Sequence, residues 1–291
     1  MARRPVGQAG LNLPAHVTVT CDVHFDGRRV WSFAPTDFDT ERSQRRFVPW
    51  PRLLLPWLRG TTTVSVVEHL SGVVALIEEH DFGGAEAGTR VRLETAAGAP
   101  QVVDKWGFIQ HSFDDRGPED RARLVDVAEQ ILQVLAKDCD LPAWVAFGSL
   151  LGAVREGGMI GHDSDVDIAY LSKHENPVDV AREMFAVSRA LRAADMSVAT
   201  RTGSFCAVTP PRSQGRWLPP IDVYACFYVG DTLYETASVG QPIPREAVLP
   251  LTTVQFEGRA LPAPADPEVM LEASYGPNWR IPDPAFAYRT P

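Results

Sequence analysis

Cysteine is scarce in this chain, and none of it stands in a metal-binding spacing: Cys21, Cys139, Cys206 and Cys226 are scattered, with no CxxC pair. A zinc knuckle is therefore excluded, and the four read as reduced core thiols of a cytoplasmic protein. The alternative left open is that Cys206 and Cys226 face each other on neighbouring strands. No uninterrupted run reaches the roughly 18 apolar residues of a membrane span. Gly7, Gly10 and Pro14 interrupt the N-terminal stretch before the apolar core of a secretory signal can form. The expected location is the cytoplasm, with membrane contact, if any, peripheral and at the inner face. An excess of basic charge is missing too. A net charge of -9 argues against an extended non-specific surface for long nucleic acid, while leaving room for a local basic cleft that takes a small phosphorylated ligand. No self-similar period marks a repeat architecture.

What is present is an ordinary globular composition, 45% hydrophobic and 22% charged over 291 residues, enough to bury a sizeable core in one large domain or two smaller ones. The organisation favours two. From about residue 16 to residue 110 the signals are of strand type. His16 to Val23 alternates, Asp26-Gly27 punctuates, and Arg29 to Phe33 follows, which predicts a hairpin. Further strands are predicted at 62–69, 73–79, 89–94 and 101–104. Asp114 to Asp120 is polar and turn-forming, and the next stretch places Leu124, Val127, Ala128, Ile131 and Leu135 at helical spacing. The domain boundary is therefore expected near residue 112, with a β-rich domain at 1–112 and a mixed α and β domain at 113–291. Within the second, Trp144 to Phe147 reads as a short buried strand, Leu150 to Arg155 as a helical turn, and Asn176-Pro177 as the start of a helix running to about Ala194. Strands are expected at 197–201, 204–209 and 221–229.

The chemistry is concentrated between Gly148 and Asp167. Asp165 and Asp167 are separated by Val166 and followed by Ile168-Ala169-Tyr170-Leu171, so they read as the start of a strand. A strand's period of two puts both carboxylates on one face and Val166 and Ile168 on the other. Two such anions repel unless a cation lies between them, and oxygen ligands favour a hard ion such as Mg2+, with Mn2+ as the alternative. Gly148 leaves the backbone open to a ligand, Ser149 offers a hydroxyl and a cap, and the N–H groups at the following helix start favour a phosphate. A third carboxylate commonly completes a site for two metal ions about 4 Å apart. Asp222, alone between Ile221 and Val223 in an apolar strand, is the candidate, since a lone charge there needs a partner unless it faces solvent.

With these residues in place, the chain resembles a known family. A strand-helix unit with Gly-Ser, Asp-x-Asp on the next strand and a later strand with a third Asp looks like the nucleotidyltransferase fold shared with DNA polymerase β. Gly148 to Arg155 and Asp163-Ser164-Asp165-Val166-Asp167 resemble more closely the LicD family, which includes bacterial phosphocholine transferases and fukutin-type ribitol-phosphate transferases. Phe256-Glu257-Gly258, Leu261 to Pro264, Leu271 and Tyr275 to Pro282 are similar to that family's closing segment, so the resemblance covers roughly residues 120–284. Where many members have Pro-Trp followed by three acidic residues, this chain has Gly161-His162 and then Asp163-Ser164-Asp165. The implied fold class is α+β, a LicD-like, polymerase β-like catalytic domain at 113–291 preceded by the smaller β-rich domain.

The resemblance implies a phosphotransferase that moves an alcohol phosphate from a CDP-activated donor to a hydroxyl of a cell-surface glycan, polyol phosphate or teichoic-acid-like polymer. Asp165, Asp167 and Asp222 would hold the metal. Gly148, Ser149, Arg155, His162, Asp163, Tyr275 and Trp279 would form the substrate side, with Arg155 as a phosphate clamp and the two aromatics covering a base or the acceptor. Each has a plainer reading: a surface ion pair for Arg155, a loop residue for His162, tail anchors for Tyr275 and Trp279. Two other functions share the site, namely transfer of NMP from an NTP to a small molecule and binding without catalysis. Outside it, Arg42, Arg45, Arg46, Arg52 and Arg59 interleave with Trp50, Leu53 to Leu55, Trp57 and Leu58. Pro49, Pro51 and Pro56 break any regular amphipathic helix there, so a buried loop of the β domain is expected in preference to a surface for anionic membrane or polymer. His69, His80 and His111 read as structural.

Overall fold

In the computed structural model, residues 4–39, 44–212, 217–236 and 239–286 are described. They divide into two units, one running to Asp115 and taking in the segment from Pro282, the other spanning Arg116–Ile281.

The first unit is built from short strands: β1 (Val6–Gly7), β2 (Gly10–Pro14), β3 (Cys21–Phe25), β4 (Arg28–Phe33), β5 (Arg45–Pro49), β6 (Thr61–Glu68), β7 (Val74–Asp81), β8 (Val102–Val103) and β9 (Ile109–Gln110). A four-stranded antiparallel sheet runs β4-β3-β6-β7, and β1-β2-β5 forms a second sheet. Asp26 and Gly27 both take positive φ, which suits the tight hairpin between β3 and β4. In β6 the alternation is strict: Thr62, Val64 and Val66 are buried while Thr61, Thr63 and Ser65 are half-exposed. Phe25, Trp31, Phe33, Trp50 and Phe82 close the core with stacked, tilted and edge-on ring contacts.

The single strand expected over residues 16–23 is broken, because residues 15–20 make a turn between β2 and β3. The buried guanidinium of Arg46 stabilises this turn by donating to the Val17 and Phe38 carbonyls, at 2.7 and 2.9 Å. Residues 89–94 hold only isolated bridges. Arg46, Trp50 and Leu54 of the arginine-rich stretch are internal, whereas Leu53 and Leu55 are exposed, and Arg42 lies outside the described residues. His69 donates or accepts through Nδ1 at 2.7 Å from Asp22, whose carboxylate also accepts from Ser32.

The second unit opens with α1 (Pro118–Lys137), β10 (Ala143–Val145), α2 (Phe147–Glu156), β11 (Val166–Leu171) and α3 (Pro177–Ala193). It continues with β12 (Ser197–Thr202), β13 (Phe205–Thr209), β14 (Ile221–Val229), β15 (Thr232–Thr236), β16 (Val239–Gln241), α4 (Arg245–Val248), β17 (Thr252–Phe256), β18 (Arg259–Ala263) and α5 (Pro267–Tyr275). Its main sheet has the order β10-β11-β14-β13-β12, with β11 and β14 parallel and the other pairs antiparallel. The mixed character follows from the chain path: β11 reaches β14 only after α3 and the β12–β13 hairpin, and such a long crossover permits a parallel neighbour.

One sheet face carries Val166, Ile168, Ile221 and Val223, all fully buried, each contributing roughly 1.5–3 kcal/mol of burial. Helix α3 covers this face: Thr200, in register with Cys206 and through it Val223, donates its hydroxyl to Ser188 of α3. Asn176 caps α3 by accepting from the Val178 N–H. Cys206 lies on the α3 face and Cys226, two residues beyond Tyr224, on the other, so they do not face each other; all four cysteines are free. Among the described residues no helix is long and apolar enough to cross a membrane.

Glu235 on β15 is buried and accepts from Ser274 of α5 at 2.6 Å. Burial pushes its carboxyl up to about 7. A raised carboxyl favours the fold while it is protonated in the native state, so this contribution is complete below the ordinary carboxylate range and is lost as pH rises through about 7. Glu235→Gln is expected to flatten the fall in stability between pH 5 and 8 and to be the more stable form at pH 8, by about 1–3 kcal/mol. Urea unfolding at the two pH values checks this; a variant with the wild-type pH slope would contradict it.

Candidate active site

The parallel register of β11 and β14 sets Asp167 directly beside Asp222, and Val166 beside Ile221. Asp165 immediately precedes β11. Each of Asp165, Asp167 and Asp222 offers a carboxylate oxygen, and these atoms all lie within 4.8 Å of one another. Three carboxylates at that spacing repel, so the arrangement is unfavourable without a cation, and an all-oxygen donor set suits Mg2+ or Mn2+. Asp222 is pushed up to about 6 by burial, opposed by the Tyr224 hydroxyl at 3.4 Å and by the charge of Arg201.

The corner between β10 and α2 holds this group from below. The Asp167 N–H donates to Ser149 Oγ at 2.9 Å, and its carbonyl accepts from the Ala146 N–H at 3.0 Å. Ser149 therefore does not cap the helix as expected; buried in the first turn, it fixes the backbone of β11. The helix itself begins at Phe147, with Ala146 as an N-cap that makes no side-chain bond, earlier than the start expected at Leu150. Phe147 takes a left-handed φ of 44° where the chain turns from strand to helix, and its ring meets Tyr224 edge-on at 5.2 Å. Gly148 also differs from expectation, since a side chain is excluded there by the protein itself. A Cβ at Gly148 would stand 2.6 Å from Asp163 Oδ2 and 3.7 Å from Asp167 Oδ2. Asp163 thus lies over the helix start as a further carboxylate, its Oδ1 accepting from the Ser164 N–H. His162, half-buried, precedes it on the same loop and stands outside the converging set.

That loop is held by elements distant in sequence. Glu257, in the β17–β18 turn, donates its N–H to the Gly157 carbonyl, and its Oε1 accepts from the Met159 N–H at 2.8 Å. Gly152 lets the loop pass against α2: a Cβ there would meet the Gly158 carbonyl oxygen at 2.3 Å.

Arg155 is placed differently from the expected phosphate clamp. It stands in the last turn of α2, roughly 9 Å along the helix from Ser149 at 1.5 Å per residue. Its guanidinium donates to Glu156 at 2.8 Å and to the Trp279 carbonyl at 3.5 Å. Trp279 is buried with the Arg280 guanidinium over its ring, which makes it an anchor of the tail rather than a cover for a base. Tyr275 is half-buried as the last residue of α5. Sequence reading passed over Tyr224, Phe205 and Arg201. Phe205 stacks on Tyr224 at 4.8 Å on the carboxylate face. The Asp222-x-Tyr224 alternation signals the tyrosine, but nothing local signals the other two.

Comparison with known proteins bears on this unit. The model of the LicD/FKTN/FKRP nucleotidyltransferase domain matches residues 140–266, a stretch that ends before Tyr275 and Trp279. Among solved structures, the crystal structure of ANT(2")-Ia in complex with adenylyl-2"-tobramycin is similar with a TM-score of 0.32 and 14% identity, over 48% of this chain and 68% of that one. No curated protein matches the chain. The matched residues 140–266 carry Asp165, Asp167 and Asp222 as well as the Gly148-Ser149 corner, so the site lies within a LicD-type domain.

Proposed function

We propose that this protein is a metal-dependent phosphotransferase that moves an alcohol phosphate from a CDP-activated donor to a hydroxyl of a glycan or teichoic-acid-like polymer at the cytoplasmic side of the cell surface. The observation that carries the reading is the convergence of the Asp165, Asp167 and Asp222 oxygens within a LicD domain. These three would hold Mg2+ or Mn2+, which when bound supplies neutralising charge to the donor's diphosphate. The chain's own residues do the rest. Ser149 and Ala146 hold the Asp167 backbone rigid, so the carboxylates are positioned before substrate arrives. One carboxylate of the cluster accepts the proton of the acceptor hydroxyl. The acceptor oxygen forms a bond to the phosphorus that bears the alcohol, and the bond from that phosphorus to the bridging oxygen breaks, releasing CMP. The β-rich unit would recognise the acceptor or position the enzyme.

The test is to incubate the protein with Mg2+, a panel of CDP-alcohols including CDP-choline, NTPs and cell-wall extract. CMP release that requires both metal and extract is expected. Pyrophosphate release from an NTP, with every CDP-alcohol left intact, would replace this reading with nucleotidyl transfer.

A further inference from the structure

The corrected position of Arg155 leaves the phosphate side of the site without the cation expected there. Strand β12 offers another. Its pairing with β13 runs Ala199 with Ala207 and Thr200 with Cys206, then shifts so that Thr202 stands opposite Phe205, leaving Arg201 as the extra residue of a bulge. Ala207 is in register with Asp222, and Phe205 with Tyr224, so Ala199 and Thr202 belong to the carboxylate face while Thr200 points to α3. Arg201 is unpaired in the ladder at this bulge, next to Thr202 of the carboxylate face. Arg201 is exposed, and among the described residues no hydrogen bond or ion pair holds its guanidinium. Its charge is nevertheless felt at Asp222. Arg192, by contrast, spends its guanidinium on the Val198 carbonyl and the Thr200 hydroxyl on the α3 side.

We propose that Arg201 is a substrate-binding residue of this site, gripping the phosphates of a nucleoside diphosphate beside Asp222. The inference rests on the nucleotide-dependent reading given above and adds the residue that binds the anion. An anionic donor approaching Asp163, Asp165, Asp167 and Asp222 meets repulsion from every side chain that the metal does not neutralise. An unpaired planar fork at the rim offsets it and accepts two phosphate oxygens at once.

The experiment measures binding without turnover. Mn2+ affinity is read by electron paramagnetic resonance, then CDP and cytidine affinities by calorimetry at saturating Mn2+, for the wild type, Arg201→Ala and Arg201→Lys. Expected are unchanged Mn2+ binding in both variants, CDP binding roughly 10- to 100-fold weaker in Arg201→Ala, partial recovery in Arg201→Lys, and cytidine binding unaffected. CDP affinity in Arg201→Ala within twofold of wild type would overturn the proposal, as would an equal loss for cytidine, which has no phosphate. A wild type that binds Mn2+ and CDP but shows no phosphotransfer would remove the transferase reading and leave Arg201 in place. A wild type that binds Mn2+ but no CDP would remove both.

Discussion

Exchange of Asp165 and Asp167 together for asparagine is expected to lower turnover by roughly 10³-fold or more while leaving the fold intact. A catalytic metal generally contributes several kcal/mol to the transition state, and each 1.36 kcal/mol is tenfold in rate. Asparagine keeps the shape of aspartate and loses the charge that would hold the cation. The bonds that position this corner, from the Asp167 N–H to Ser149 Oγ and from the Ala146 N–H to the Asp167 carbonyl, use only the backbone of Asp167 and survive the exchange. Removing two of three anions whose oxygens lie within 4.8 Å relieves repulsion in the metal-free protein. The variant should therefore melt no lower than wild type without metal, and Mn2+, expected to raise the melting temperature of the wild type, should not raise that of the variant. Wild-type CMP release by the double variant would remove the mechanism.

Gly152→Ala tests how the loop before Asp163 is held. In an ordinary helix interior, alanine in place of glycine is favourable by about 1 kcal/mol. Here the added Cβ would lie 2.3 Å from the Gly158 carbonyl oxygen and 3.1 Å from Ile160 Cγ1. The first of these is backbone, which cannot swing aside as a side-chain end can. Nor is the loop at liberty to back away, because Glu257 holds the Gly157 carbonyl and the Met159 N–H from its far side. The expected result is a destabilisation of about 1–3 kcal/mol, the cost of overpacking, read as a lower urea midpoint at unchanged slope. Turnover should fall as well, since displacement of residues 158–160 is passed along the chain to Asp163. A stabilised variant would show that the loop yields and that this packing account is wrong.

The local features of the site were legible in the residues because they depend on near neighbours. Asp165 and Asp167 are on one side of Val166 by the period of a strand, whatever the strand pairs with. Asn176-Pro177 starts α3, and Asp26-Gly27 turns β3 into β4, for equally local reasons. The Gly148 to Arg155 and Asp163 to Asp167 runs also carried the family resemblance, and the LicD model matches residues 140–266 around them. The turn at residues 15–20 escaped the reading because its carbonyls are satisfied by Arg46, a partner about thirty residues away that no alternation pattern contains.

By itself, then, the amino-acid order determined the residue types, their faces and the family resemblance: carboxylates in an apolar strand, a glycine and serine at a helix start. Only the tertiary structure decided what each does. The register that sets Asp222 against Asp167 depends on pairing two strands separated by α3 and a hairpin, and no pattern within either strand specifies it. The same holds for the carboxylate of Asp163 packed over Gly148, for Arg155 drawn to the Trp279 carbonyl at the far end of α2, and for the bulge at Arg201. Each arises from contact between distant segments, where packing and unlike backbone partners choose among positions that the local chain leaves equally open.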